Sequence, residues 1–215
     1  MRITKIESQK KNPHRKSIHA DGQFVLGLSE ETLLRSGLRT GDQITDEKLK
    51  ALIQEEETSG AKRLALRFLA HRPRTIKEVQ NRLRENEFSD SDIKQTIENL
   101  ERAGLLNDAE FARMYVRDAL STKPTGKNLL KRKLLLLGIE KATIDEVLTD
   151  AFADVDDKAS ALEAGRKFLK KSTATRKASA QTQLRNRLAS FLGRRGFGWD
   201  TIRPVLKELI KGQDE

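Results

Sequence analysis

The chain has 215 residues and a formal net charge of +10, with 34% charged, 36% hydrophobic and 5% aromatic residues. The hydrophobic fraction is low for a protein with one large hydrophobic core, but it is sufficient for small helical units that each bury one stripe of side chains. The sequence has no cysteine and three histidines at spacings that fit no ligand motif, which excludes disulfides and thiolate chemistry and argues against a metal or other cofactor.

The first 57 residues are predicted to form a small β-containing element. Apolar residues alternate with polar ones over residues 1–28, as is typical of strands. Asp21 and Gly22 form a favourable two-residue turn between two of these segments. This pattern predicts a β-hairpin near the N-terminus.

Short helices are expected to follow the hairpin. The first is predicted over residues 30–36 and ends at Gly37, and the second is predicted over residues 46–57 after Thr45 as its cap. The next three residues, Thr58-Ser59-Gly60, have the composition of a linker.

From residue 61 onward the signals are helical. Thr75 and Glu78 form a capping box, in which each side chain satisfies a free backbone N–H group at a helix start. Another helix is predicted to begin near Ser89 and to end at Gly104.

An internal repeat indicates how these helices are organised. Three stretches of the chain align with one another without gaps. In each, four apolar residues follow one another at spacings of five, five and four positions. The matching positions are Leu83, Glu87-Phe88, Ile93 and Ile97; Leu134, Gly138-Ile139, Ile144 and Leu148; and Leu192, Gly196-Phe197, Ile202 and Leu206. Each stretch is typical of two helices joined by a corner. A left-handed corner would disfavour Glu87 relative to glycine, so the sequence leaves open whether the first corner is as tight as the others.

Another amphipathic run precedes each corner, so each unit is predicted to contain three helices. The apolar residues of these runs are Leu64, Leu66 and Leu69; Phe111, Tyr115 and Val116; and Leu162, Phe168 and Leu169. The predicted fold is mainly α, with three tandem three-helix repeats in an elongated curved molecule and a small N-terminal β-containing leader. The predicted bounds are 1–57 for the leader and 60–105, 106–153 and 154–211 for the repeats.

The positive charge is concentrated in the third repeat. Residues 158–211 contain 14 Lys and Arg against three Asp and Glu, a net charge of +11, whereas the other residues contain 28 basic and 29 acidic side chains. Such an arrangement favours a polyanionic partner, because clustered Lys and Arg release counterions from phosphate backbones. The alternative is a solvated basic surface that only aids solubility.

Three regions of the sequence resemble a known family. The sequence is similar to the central part of RecX proteins, which regulate the RecA recombinase, in residues 72–79 (RPRTIKEV) and 97–116 (IENLERAGLLNDAEFARMYV). Gly126, with the leucines that follow it and the later segment Leu137-Gly138-Ile139, resembles the glycine-led second helix of the family's middle unit.

The resemblance implies a regulatory protein that binds the RecA filament on single-stranded DNA and modulates recombinase activity, by inhibition or remodelling, in homologous recombination, DNA repair and the SOS response. It implies no catalysis, and no nucleophile, base and orienting group can be assembled from the sequence. The alternative is a stand-alone helical DNA-binding protein that acts through the basic third repeat. We expect a monomer without a cofactor. A cytoplasmic location is expected because no signal peptide and no apolar run of roughly 20 residues is present.

Basic residues of the second and third repeats are the predicted contacts with DNA or the filament, and we expect them to line one surface. The predicted contact residues are Lys127, Lys131, Arg132, Lys170, Lys171, Arg176, Lys177, Arg185, Arg187, Arg194, Arg195 and Trp199. Trp199 is included because it follows a glycine at the third corner. The other aromatic residues, Phe168 and Phe191 among them, are assigned to core packing in preference to base stacking.

Overall fold

The computed structural model describes residues 1–10, 12–171 and 178–211. The strands are β1 (Ile3–Gln9), β2 (Asn12–Ala20) and β3 (Gln23–Ser29). The helices are α1 (Glu30–Ser36), α2 (Asp46–Leu69), α3 (Ile76–Arg84), α4 (Asp90–Arg102), α5 (Asp108–Thr122), α6 (Lys127–Leu136), α7 (Lys141–Ala151), α8 (Asp157–Lys171), α9 (Ala178–Arg194) and α10 (Trp199–Lys211). The mainly helical fold with a small N-terminal sheet is therefore confirmed.

The N-terminal sheet is antiparallel, with its strands in the order β1, β2, β3. Asp21 and Gly22 have φ values of 49° and 80°, so the predicted tight turn connects β2 to β3. Helix α1 begins after Ser29, whose hydroxyl accepts a hydrogen bond from the backbone N–H of Thr32, and it ends at Gly37 with a φ of 67°. Both predictions for this region are confirmed.

Helix α2 begins where predicted but does not end at residue 57. It continues through residues 58–60, so the predicted linker is wrong. This segment contacts α4 and the corner before it: the Thr58 hydroxyl donates to the Asp92 carboxylate, and Gly60 lies against the Phe88 ring. These small residues allow close packing of two helices, and the boundary expected here between the leader and the first repeat falls within one helix.

A buried carboxylate connects α2 to the sheet. Glu56 accepts hydrogen bonds of 2.9 Å from the backbone N–H of Ser29 and from Arg63, and Arg15 of β2 lies 3.3 Å away. Burial alone would raise the pKa of Glu56, but the hydrogen bonds from Ser29 and Thr32 and the charge of Arg63 outweigh it and leave the pKa below its ordinary value. The carboxylate is therefore ionised and paired.

The chain divides into two compact units, one formed by residues 1–73 and 79–105 and the other by residues 74–78 and the described residues from 106 onward. The second unit contains the second and third three-helix repeats. The bounds 106–153 and 154–211 for these repeats stay predictions, as does the end of the first repeat at residue 105.

The repeated apolar positions form the cores. Those that are at least nine-tenths buried are Leu83, Ile93, Ile97, Leu134, Ile139, Ile144, Leu148, Leu192, Phe197, Ile202 and Leu206. In the run before the first corner, however, Leu66 is exposed, and Ala61 and Ala65 are the residues of this run that are buried. The larger leucine had been expected to lie inward, but alanines allow α2 to approach its neighbours more closely.

All three corners have the same backbone conformation. Glu87, Gly138 and Gly196 have φ values of 62°, 87° and 88°, so the first corner is as tight as the others despite its glutamate. In each corner the residue after the left-handed position donates to the carbonyl five positions earlier, as in a Schellman motif. These hydrogen bonds are Phe88 to Leu83, Ile139 to Leu134 and Phe197 to Leu192. The motif also brings these two apolar residues into contact, which explains the first five-residue spacing of the repeat.

Within the second unit, the corner of the second repeat packs against the start of α3. The Thr75 hydroxyl donates to the carbonyl of Leu137 at 2.8 Å, and the Lys77 ammonium donates to the carbonyl of Leu136 at 3.3 Å. A Cβ atom at Gly138 would overlap the Lys77 side chain. Thr75, just before α3, and Lys77, in its first turn, therefore donate to carbonyls that the corner leaves free.

The corner of the third repeat packs against the start of α6 in the equivalent way, but through the backbone. The N–H groups of Gly126 and Asn128 donate to the carbonyls of Arg195 and Gly196 at 2.9 and 3.0 Å. Gly126 provides no side-chain cap for α6, and the third repeat instead accepts hydrogen bonds from two N–H groups at the start of this helix. The same contact places the Arg195 guanidinium 3.1 Å from the carbonyl of Pro124.

Candidate nucleic-acid interface

A cavity of about 590 Å³ lies in the second unit beside the contact between the second and third repeats. The segment joining α5 to α6 forms one wall, and α8 and α9 form the others. The lining residues are Thr122, Lys123, Pro124, Ala164, Lys167, Phe168, Lys170, Arg187, Phe191 and Arg195. This cavity, called here the aromatic cavity, brings together three of the predicted contact residues: Lys170, Arg187 and Arg195.

Two stacked rings line the aromatic cavity. Phe168 of α8 and Phe191 of α9 have ring centroids 4.7 Å apart and an interplanar angle of 26°. Both rings are half-buried, since they pack against the core of the third repeat on one side and line the cavity on the other. The Arg195 guanidinium lies over Phe191, 5.1 Å from the ring centroid, so this cation is held by both the ring and the Pro124 carbonyl.

Cationic side chains surround these rings, and no carboxylate is among the lining residues that the structure describes. Lys123, Lys170 and Arg187 are exposed. Lys167 forms an ion pair of 2.6 Å with Glu163 one turn earlier on α8, which offsets part of its charge. The cavity therefore combines an apolar lining with a net positive charge.

Arg185 lies elsewhere, although it is only two residues from Arg187 on α9. It lines a separate cavity of about 590 Å³ together with Arg203, Pro204 and Lys207 of α10. Two residues along a helix correspond to opposite sides of its axis. The basic residues of α9 are thus divided between two surfaces.

The predicted contacts of the second repeat lie on α6. Lys131 donates a hydrogen bond to Asp145 of α7, and this hydrogen bond lowers the pKa of the Asp145 carboxyl. Asp145 offsets the charge of Lys131, whereas Arg132 is exposed and Lys127 is half-buried.

The remaining predicted contacts are at the third corner and in the connection before α9. Arg194 and Trp199 are exposed, and 56% of the Trp199 surface is accessible. Arg176, Lys177 and the side chain of Lys171 lie outside the described residues. Binding by any of these residues stays a prediction.

The aromatic lining was not predicted from the sequence. Phe191 is four residues from both Arg187 and Arg195, so the three side chains follow one face of α9 and its C-terminal extension. This spacing of an aromatic residue between two arginines was the available signal. It was not sufficient, because the same spacing is expected of a phenylalanine that lies entirely in the core.

Across residues 1–10, 12–171 and 178–211, no group of three or more acidic or histidine side chains is arranged to hold a metal ion. No described helix combines the length and the apolar character that a bilayer crossing requires.

Comparison with known proteins gives consistent matches over the chain. Three family models match: "Regulatory protein RecX N-terminal domain" over residues 1–45, "RecX, first three-helix domain" over residues 61–100 and "RecX, second three-helix domain" over residues 107–148. The chain is 30% identical to the regulatory protein RecX of Clostridioides difficile over 208 residues, which cover 97% of this chain and 95% of that protein. It is also 30% identical to the regulatory protein RecX of Clostridium acetobutylicum over 210 residues, or 97% and 96% of the two chains.

Two solved structures have a similar fold. A crystal structure of regulatory protein RecX superposes with a TM-score of 0.70, at 23% identity, over 100% of this chain and 99% of the other. The crystal structure of RecX from Lactobacillus salivarius superposes with a TM-score of 0.58, at 24% identity, over 72% of this chain and 97% of the other.

Proposed function

Because the chain belongs to the RecX family of regulatory proteins, we propose that it binds the filament of RecA recombinase on single-stranded DNA and inhibits recombinase activity in recombination and DNA repair. Family membership supports the regulatory role. The filament as partner rests on the resemblance in the central segments and on the charge of the third repeat. In this proposal the protein acts in the cytoplasm as a monomer and works by binding, without catalysis.

The observation that carries this proposal is the position of the positive charge. The third repeat has a net charge of +11 over residues 158–211, and its basic residues Lys170, Arg185, Arg187 and Arg194 are exposed. They lie on more than one helix and on two sides of α9. A distribution of this kind suits a long phosphate backbone better than a short base sequence, which a single recognition helix would read.

The first experiment compares the affinity of the full chain for bare single-stranded DNA and for RecA filaments on the same DNA, at about 150 mM salt. ATP hydrolysis by the recombinase is followed in parallel. We expect tighter binding to the filament and slower hydrolysis. Equal affinity for both, with hydrolysis unchanged, would overturn the proposal in favour of a stand-alone DNA-binding protein.

A charge-reversal pair tests whether the third repeat makes the contact. The variant carries Arg185→Glu and Arg194→Glu, and the control carries Lys62→Glu and Lys94→Glu, which are exposed lysines of α2 and α4. Both variants have the same net charge. We expect the first variant to bind the filament about tenfold more weakly. The slope of log affinity against log salt concentration should become shallower by about 1.4, since each lost single-strand phosphate contact removes about 0.7 from it. Equal losses in both variants would show that only total charge matters.

A further inference from the structure

We propose that the aromatic cavity binds one unstacked nucleotide of single-stranded DNA, with its base against Phe168 and Phe191 and its phosphate among the surrounding cations. This inference rests on the proposed function, since it specifies how the third repeat would contact the DNA strand. It names a site that is distinct from the general positive charge of that repeat.

The lining suits a base. Every nucleobase has a π face that stacks on an aromatic ring, and such stacking is tolerant of sequence. Phe168 and Phe191 line the cavity as a half-buried stacked pair, and Arg195 lies over Phe191, so a base would contact the ring surface that these contacts leave uncovered. At about 590 Å³ the space lies within the range of about 300–1,000 Å³ typical of small-molecule sites. A base that enters here would also cover apolar ring surface that is accessible to water in the free protein.

The rim suits a phosphate. Lys123, Lys170 and Arg187 are exposed at the cavity, and none of the described lining residues is acidic. Arg195 is already held in place by the Pro124 carbonyl and the Phe191 ring. Less side-chain ordering is therefore required of Arg195 when an anion binds.

The combination favours a single strand over a duplex. Bases in a duplex are stacked on their neighbours, so they reach a recessed aromatic surface only after extrusion from the helix, which costs free energy. A single strand can turn a base into the cavity and leave its phosphate at the cationic rim. An acidic, aromatic segment of a partner protein has similar chemistry, and the experiment is designed to distinguish it.

The test uses the full chain and two fluorescein-labelled oligonucleotides of equal length, one an oligothymidylate and the other its abasic analogue with the same number of phosphates. Fluorescence anisotropy at low salt gives both affinities. The wild-type chain should bind the oligothymidylate at least about fivefold more tightly, which is the lower range of one base-stacking contact. Equal affinities for the two oligonucleotides would overturn the inference, whether or not the filament is bound.

A Phe191→Leu variant should lose this preference while its salt dependence stays unchanged, because no charge is removed. The matched control is Phe152→Leu, which alters a half-buried phenylalanine in the second repeat that does not line the cavity. Fluorescence of Trp199, the one tryptophan of the chain, checks that the third repeat remains folded. A preference retained in the Phe191 variant would contradict the inference.

A second pair of variants does not alter the core. Arg187→Gln removes a cation from the aromatic cavity, and Arg185→Gln removes one from the separate cavity on the same helix. The first should weaken oligothymidylate binding several-fold more than the second; equal losses would contradict the inference.

If Phe191→Leu weakens filament binding but leaves both oligonucleotide affinities unchanged, the cavity receives a protein segment, and the nucleotide assignment is wrong. If wild type does not bind filaments but retains the oligonucleotide preference, the proposed function fails and the nucleotide site remains.

Discussion

The corners of the first and third repeats have the same backbone conformation but different surroundings. Glu87 at the first corner has a φ of 62° and an exposed side chain, whereas Gly196 at the third has a φ of 88° and is buried. A Cβ atom at Gly196 would overlap the backbone N atom of Leu129. A left-handed residue other than glycine costs about 1–2 kcal/mol, and the first corner tolerates this cost. The glycine of the third corner is required by close packing as well as by φ.

The largest effect is expected for Gly196→Ala. The substitution adds left-handed strain and forces the corner away from α6, so we expect the third repeat to lose on the order of 3 kcal/mol. Urea unfolding followed by Trp199 fluorescence measures this loss, because Trp199 begins α10 immediately after the corner.

The matched control for this prediction is Gly193→Ala. Gly193 lies inside α9, and a Cβ atom there would meet nothing within 4 Å. Alanine is the better helix former by about 1 kcal/mol, so the control should raise the urea midpoint. Similar midpoints for the two variants would show that packing against α6 does not hold the third corner.

A smaller loss is expected for Thr75→Ala at the second corner. The buried Thr75 hydroxyl donates to the Leu137 carbonyl at 2.8 Å and accepts from the backbone N–H of Glu78 at 3.2 Å. Removing it abolishes a helix cap and leaves a corner carbonyl without its donor, which together cost about 2 kcal/mol. Far-ultraviolet circular dichroism during urea unfolding measures the change. Thr75→Ser keeps the hydroxyl and should retain most of the stability; if it is as unstable as the alanine variant, methyl packing is the dominant contribution.

The corners illustrate what the sequence was able to predict. The five-residue spacing of Leu134 and Ile139 is the spacing that a Schellman motif brings into contact, so the repeat could be recognised from apolar residues alone. The cap at Thr45 was also predictable, since this signal lies within a few residues of the helix start. Local interactions of this kind are encoded over short stretches of chain.

The errors and omissions depend on partners distant in sequence. Residues 58–60 have a linker composition, but Thr58 contacts Asp92 and Gly60 lies against Phe88, so the helix continues. The half-burial of Phe191 likewise depends on how α8 and α9 pack. The local sequence is not sufficient to specify either arrangement, because propensity and residue spacing are weak determinants compared with tertiary packing.

The smallest effect, and one of opposite sign, is expected for Glu87→Gly. Glycine removes the left-handed strain at the first corner, and part of this gain is offset by the greater freedom of glycine in the unfolded chain. We therefore expect a stabilisation of about 1 kcal/mol, measured as slower hydrogen exchange in α3 and α4. Glu87→Ala keeps a Cβ atom and should remain close to wild type. A destabilised glycine variant would mean that the Glu87 side chain contributes more to the corner than its backbone conformation costs, and the first corner would then depend on its residue as strictly as the third.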